Sequence, residues 1–262
     1  MRTPYRFKDS NGHLLKELDR AGFEAIKAVG LQVAKKHTCM IAKEGDPPIP
    51  IGSGTFVQIG NHSFIATAKH LFENFQTDDL VGIYWGEEGN RSGVTIRNII
   101  LDEKLDLAAI SLSPDTKVCG VSLGIRLHAE SDLFVLSGIP SEKCKIDQNS
   151  RTLVVGHFSL GLVKLPPQRW PTNPDLAISP NSDLLFNYTQ DLAIDDCGEP
   201  MPQINPSGFS GGGIWSVPVL AGGIWCPANA TLVAVQSSVE SHKWRYLRTT
   251  RIEHWLRLIS DD

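Results

Sequence analysis

From Thr38 onward the chain is cut into short apolar runs bounded by Gly, Pro, Asn and Asp, a punctuation that suits β-strands and hardly anything else. The first runs fall at residues 38–42, 54–59, 63–68, 80–84, 94–100 and 107–112. Six short strands at this spacing suggest a small closed barrel. A looser segment, 113–130, carries Pro114 and Gly120 and few strand signals. A second strand series then starts, at 133–136, 153–158, 184–188, 213–219 and 231–236. The expected division is a lead-in at 1–36, a first β-unit at 37–125 and a second at 126–262. Prolines and Asn/Asp residues accumulate between Leu165 and Asn205, so the second unit is expected to carry long loops.

The two ends differ from the middle. Leu14, Leu15, Leu18, Ala25, Ile26, Val29 and Val33 recur near helical spacing, with Ser10 and Asn11 available as N-cap and Gly22 as a possible break. Residues 10–36 therefore read as an amphipathic helical extension, which either packs on the same chain or recruits a regulatory partner. At the C-terminus, Ile252, Trp255, Leu256 and Ile259 fall on one face of a helix over 250–259.

Composition removes several function classes. Of 262 residues, 41% are hydrophobic and 21% charged, ordinary usage for a chain that buries a core. Lys and Arg number 25 against 29 Asp and Glu, a formal charge of −4, so there is no basic excess for nucleic acid or anionic lipid. The uncharged stretch 201–239 is interrupted by Pro202, Pro206, Pro218 and Pro227 and reads as buried strands, not a membrane span. Cys39, Cys119, Cys144, Cys197 and Cys226 include no C-x-x-C pair, so no metal site or cofactor is expected and the thiols read as reduced. Met1 to Ser10 are polar and charged with no apolar run behind them, which points to a cytoplasmic location.

The chemistry sits in three places. A serine hydroxyl becomes a useful nucleophile only with a base beside it, a group to orient that base, and donors for the oxyanion. Gly208-Phe209-Ser210-Gly211-Gly212-Gly213 offers Ser210 on a glycine turn, with the backbone N–H groups of Gly208 and Ser210 as oxyanion donors. His70 follows the apolar run Phe64-Ile65-Ala66-Thr67-Ala68, which would deliver the imidazole to a sheet rim. Asp106 opens the apolar strand Leu107-Ala108-Ala109-Ile110, where an imidazole partner would satisfy its charge. Its rival Asp102 precedes Glu103-Lys104 and reads as a solvated turn. Gly52-Ser53-Gly54 lacks a third glycine at Val57 and reads as a turn entering a strand, not a nucleotide loop.

Thr67-Ala68-Lys69-His70, Asp106-Leu107-Ala108 and Gly208-Phe209-Ser210-Gly211-Gly212, in that order, resemble the His, Asp and Ser motifs of the trypsin-like (chymotrypsin-fold) serine proteases, in particular single-chain bacterial, organellar and viral members without disulfides. The resemblance covers roughly residues 38–262. It implies an all-β chain of two antiparallel six-stranded barrels, with His70 and Asp106 from the first and Ser210 from the second, and hydrolysis of a protein or peptide through an acyl-enzyme. It further implies that substrate adds as a strand beside Val235-Gln236-Ser237. Two positions depart from the digestive members. Phe209 stands where they carry an acid that pairs with a new N-terminus, and Ile204 stands where trypsin binds Lys or Arg. Two other readings remain open: a protease-fold pseudoenzyme that binds peptides, and a protease switched on by a partner through residues 10–36.

Overall fold

The structure is a computed structural model describing residues 5–8, 14–75, 80–85, 90–91, 96–116, 118, 121–122, 131, 133–147, 153–172, 177–188, 193–195, 205–217, 227–240 and 245–260. The chain opens on a hairpin of β1 (Tyr5–Lys8) and β2 (Leu14–Leu18), followed by α1 (Arg20–Val29), a π-helical turn (Gly30–Ala34) and α2 (Lys35–His37). The helix thus starts later than its apolar spacing suggests. Leu14 to Leu18 pair with β1, and the helix is capped by Asp19, whose side chain accepts from the Gly22 N–H at 2.8 Å. Ser10 and Asn11 lie outside the described residues. Gly22 does not break the helix; Leu18 lies against it, its Cγ 2.9 Å from where a Cβ would stand.

The first sheet contains β3 (Thr38–Lys43), β4 (Ile49–Ile59), β5 (His62–Ala68), β6 (Val81–Trp85), β7 (Asn90–Arg91), β8 (Ile96–Asp102), β9 (Leu107–Leu112) and β10 (Val121–Ser122). Its order is β7-β6-β3-β4-β5-β9-β8, antiparallel, with β10 adding to β4 in parallel. After β11 (Leu133–Gly138), β12 (Cys144–Ile146) and β13 (Leu153–Val155) form a small hairpin, and the chain continues through β14 (Phe158–Val163), β15 (Asp183–Asn187), β16 (Ala193–Asp195), β17 (Gly213–Ser216), β18 (Thr231–Glu240), β19 (Tyr246–Arg251) and α3 (Ile252–Ser260). The second sheet runs β15-β19-β18-β17-β11-β14-β16.

The chain is therefore mostly β, with two antiparallel sheets and a C-terminal helix. Each sheet holds six longer strands, as expected, plus short additions, and its pairing path is open among the described residues. The expected boundary near residue 125 falls outside them. One apolar cluster joins the whole. Val57, Ala66, Leu107 and Ala109 of the first sheet meet Leu133, Val135, Trp215, Leu232 and Val235 of the second, together with Ile252 and Trp255 of α3. Leu18, Ala25, Ile26, Val29 and Ala34 belong to the same cluster, so the N-terminal segment buries its apolar face on the chain's own body.

Candidate functional site

His70 lies in a single 3₁₀ turn, Lys69–Phe72, that ends β5, and Asp106 lies in the turn that leads into β9, the neighbour of β5. Both loop ends therefore rise from adjacent strands. Asp106 has φ +53°, a conformation unusual for a residue with a side chain. That backbone lets one carboxylate accept twice: Oδ1 takes the His70 backbone N–H and Oδ2 the ring Nδ1–H, each at 2.8 Å. The Asp106 carbonyl takes the Lys69 N–H at 3.2 Å. Two further contacts hold the Asp106 turn. Lys69 Nζ pairs with Glu103 at 2.6 Å, and Thr250 Oγ1 of β19 donates to Leu105 O at 2.9 Å. Asp102 caps this turn, its Oδ1 accepting the N–H groups of Lys104 and Leu105. The His70 and Asp106 side chains are 34% and 32% exposed, so the imidazole stays reachable from outside.

Ser210 is half-buried on the loop before β17. Gly208 and Gly211 have φ +94° and +85°, which a side chain would strain. Phe209 between them is buried, its ring centroid 5.6 Å from that of Phe158. Its ring also fills the space over Gly138, where a Cβ would meet Phe209 Cδ1 at 2.5 Å. Backbone bonds fix the peptide planes. Ser207 O accepts from the Ser141 N–H at 2.9 Å and Phe209 O from the Gly212 N–H at 2.8 Å. In a trans peptide the N–H points opposite to its carbonyl, so these two bonds orient the Gly208 and Ser210 N–H groups. Among the described residues, neither of those N–H groups has a backbone acceptor.

The serine loop and the His70 turn meet across the two sheets. Ser53 of β4 donates its N–H to Ser210 O at 2.8 Å, and Thr67 Oγ1, three residues before His70, donates to Ser53 O at 2.7 Å. At Gly52, Leu71 Cδ1 and Ser210 O stand 2.5 and 2.9 Å from the place of a Cβ, so the residue after His70 packs beside Ser210. The His70 ring is bonded to Asp106; no Ser210–His70 hydrogen bond is formed among the described residues. Such contacts often tighten only when substrate is bound.

No protein-family model matches this chain, and no curated protein matches it in sequence. Among solved structures it is similar to the serine endoprotease from Yersinia pestis, with a TM-score of 0.56, 14% identity, and coverage of 90% of this chain and 65% of that one. The likeness is one of fold. The chain spans just under two thirds of that protein's length, 65%.

Of the strand read as a substrate edge, Val235 pairs with Gly213 on one side and Thr250 on the other. Gln236 bonds the backbone of Gly211 and Gly212 at 2.8 and 2.9 Å and faces Thr249. Both are saturated. From Ser237 on, β18 pairs only with β19, through Ser238↔Arg248 and Val239↔Leu247, so its open edge among the described residues starts at Ser237. Ile204 lies outside the described residues. The spacing of motifs did not point to Ser53, Thr67 or Ser141 as supports of the serine loop. For Ser53 the signal was present in Gly52-Ser53-Gly54, small residues inside a strand that mark a close backbone approach.

Proposed function

We propose that the chain is a serine endopeptidase of the trypsin-like type, acting on a protein or peptide through an acyl-enzyme. Ser210 is the nucleophile, His70 the general base and Asp106 the residue that orients it. The observation that carries this reading is the doubly anchored Asp106–His70 pair, 2.8 Å at the ring, beside a serine loop whose two N–H groups are oriented by neighbouring bonds. The fold shared with a serine endoprotease supports it.

In the reaction, Ser210 Oγ attacks the scissile carbonyl while its proton passes to His70 Nε2. Asp106 Oδ2 holds Nδ1–H, which leaves Nε2 with the lone pair that takes the proton, and the carboxylate steadies the imidazolium. The N–H groups of Gly208 and Ser210 stabilise the oxyanion. Imidazolium returns its proton to the leaving amine, and water, deprotonated by His70, attacks the acyl carbonyl and releases Ser210. The open edge of β18 from Ser237 is the segment to which an extended substrate would add as a strand.

Intact-mass labelling with a fluorophosphonate tests the reading. Wild type should gain one adduct, and Ser210→Ala and His70→Ala should gain none while keeping their thermal transitions. Labelling of folded Ser210→Ala at the wild-type rate would place the nucleophile elsewhere. A folded wild type that resists the reagent would favour the peptide-binding pseudoenzyme. The N-terminal segment lies within the shared core, which favours a structural role for it over a regulatory arm.

A further inference from the structure

A loop with glycines at 205–213 has many conformations open to it, and an oxyanion site needs one of them. We propose that Ser53 is a positioning residue that latches the serine loop from the opposite sheet, so that the loop is held ready by contacts internal to the chain. The inference rests on the hydrolytic reading and adds to it how the site is held.

Ser53 is fully buried and every polar group it has is used. Its N–H goes to Ser210 O at 2.8 Å and its carbonyl receives Thr67 Oγ1 at 2.7 Å. Its hydroxyl oxygen accepts the Ile139 N–H at 2.8 Å, and the hydroxyl lies 2.6 Å from Gly208 O. A hydroxyl has one hydrogen. Because Ile139 N–H and Gly208 O can act only as donor and acceptor, that hydrogen has one destination, Gly208 O. Ser53 thus grips the carbonyl that follows Gly208, while Ser141 N–H grips the carbonyl that precedes it. With both flanking peptide planes held, the φ and ψ of Gly208 are set, and with them the direction of its N–H.

Geometry separates this latch from ordinary packing. The bonds from Ser141, Gly212 and Gln236 to the loop are backbone bonds, and the Ser53 hydroxyl is the side-chain bond to Gly208, while the side chains of Glu142 and Asn205 accept the N–H groups of Asn205 and Ser207 at 3.4 and 3.0 Å. Removing it leaves Gly208 O and Ile139 N–H buried without their partner, and the peptide turns to find one. Gly211 reinforces the contact, since any Cβ there would overlap Ser53 O and Thr67 Oγ1.

The test resolves fluorophosphonate labelling of Ser210 into the rate at saturation and the half-saturating concentration. Hydrogen exchange of the peptide spanning 205–212 is read alongside. Ser53→Ala should lower the saturated rate roughly 10–100-fold, less than the loss of a whole oxyanion donor. Its half-saturation should stay within about twofold and its loop exchange should quicken. Ser53→Thr, which keeps the hydroxyl, should recover most of the rate. Thr38→Val removes a buried hydroxyl, bonded to Ala34 O and Ser137 Oγ, that does not touch the serine loop; it should soften the fold but keep the rate per folded molecule. Wild-type rate and exchange in folded Ser53→Ala would overturn the latch, as would an equal loss of rate in Thr38→Val. If wild type is inert to the reagent, exchange decides alone: Ser53-dependent protection keeps the latch and discards hydrolysis, and unchanged protection discards the latch.

Discussion

At the scale of residues, the site turns on a carboxylate that does two things at once. Asp106 accepts both the ring and the backbone N–H of His70, and it reaches them from a left-handed backbone held on either side by Lys69–Glu103 and Thr250–Leu105. An amide in its place offers one acceptor and one donor. It can still take the backbone N–H, but its NH₂ then faces Nδ1 and draws the histidine into the wrong tautomer. Asp106→Asn is expected to lower kcat/KM by roughly 10⁴-fold with a near-native melting temperature. Asp102→Ala, which loses only a turn cap, should leave kcat/KM within about threefold, at a stability cost of about 0.5–2 kcal/mol. Equal losses in the two variants would mean that Asp106 serves the turn and not the imidazole. The identities of the three candidates were legible because each sits in a local motif with its own punctuation. The positive φ of Asp106 and the bonds of Ser53 were not, since both depend on residues from distant parts of the chain.

At the scale of elements, strand pattern and strand position parted company at β4. Gly52-Ser53-Gly54 looks like a turn to a reader of local propensity, yet the strand begins at Ile49 and runs straight through it. Its glycines are there because Leu71 and Ser210 press on one and Ile65 and Cys39 on the other. The opposite error occurred at the N-terminus, where the Leu14, Leu15 and Leu18 spacing suits a helix but pairing with β1 makes a strand of it. Long-range contact overrode local preference both times. The serine loop shows how one element leans on another. Phe209 is an apolar plug packed over Gly138 of β11 and against Phe158 of β14. Phe209→Ala should therefore empty a site inside the second sheet, costing about 3–5 kcal/mol in urea denaturation, and labelling of Ser210 should slow as the loop loosens. A cost below about 1 kcal/mol would show that backbone bonds alone hold the loop.

At the scale of the whole molecule, the N-terminal segment and the second sheet are tied by a buried polar chain. Thr38 Oγ1 donates to Ala34 O at 2.8 Å, and Thr38 Oγ1 and Ser137 Oγ share a hydrogen bond. Ser137 Oγ also lies 2.7 Å from His157 Nε2. Thr38 has spent its hydrogen on Ala34, so Ser137 must donate to Thr38, and His157 must donate from Nε2 to Ser137. That leaves Nδ1 buried and, among the described residues, without a partner, the place on the ring where a second proton could bind. Burial, and secondarily the charge of Lys35, push the His157 pKa down to about 3. Above the unfolded pKa of about 6.5 the imidazole is neutral in both states and its contribution to stability is fully present. As pH falls from there toward 3, the unfolded chain takes up a proton that the native chain refuses, so stability declines. His157→Gln keeps a donor for Ser137 and carries no titrating group. Between pH 7 and pH 5 the wild type should lose about 2 kcal/mol more than this variant in urea midpoint free energy. The carboxylates titrate alike in both proteins and cancel in the comparison. Parallel losses would mean that His157 meets its proton in the native state too, and that the joint between the N-terminal segment and the second sheet is open to water.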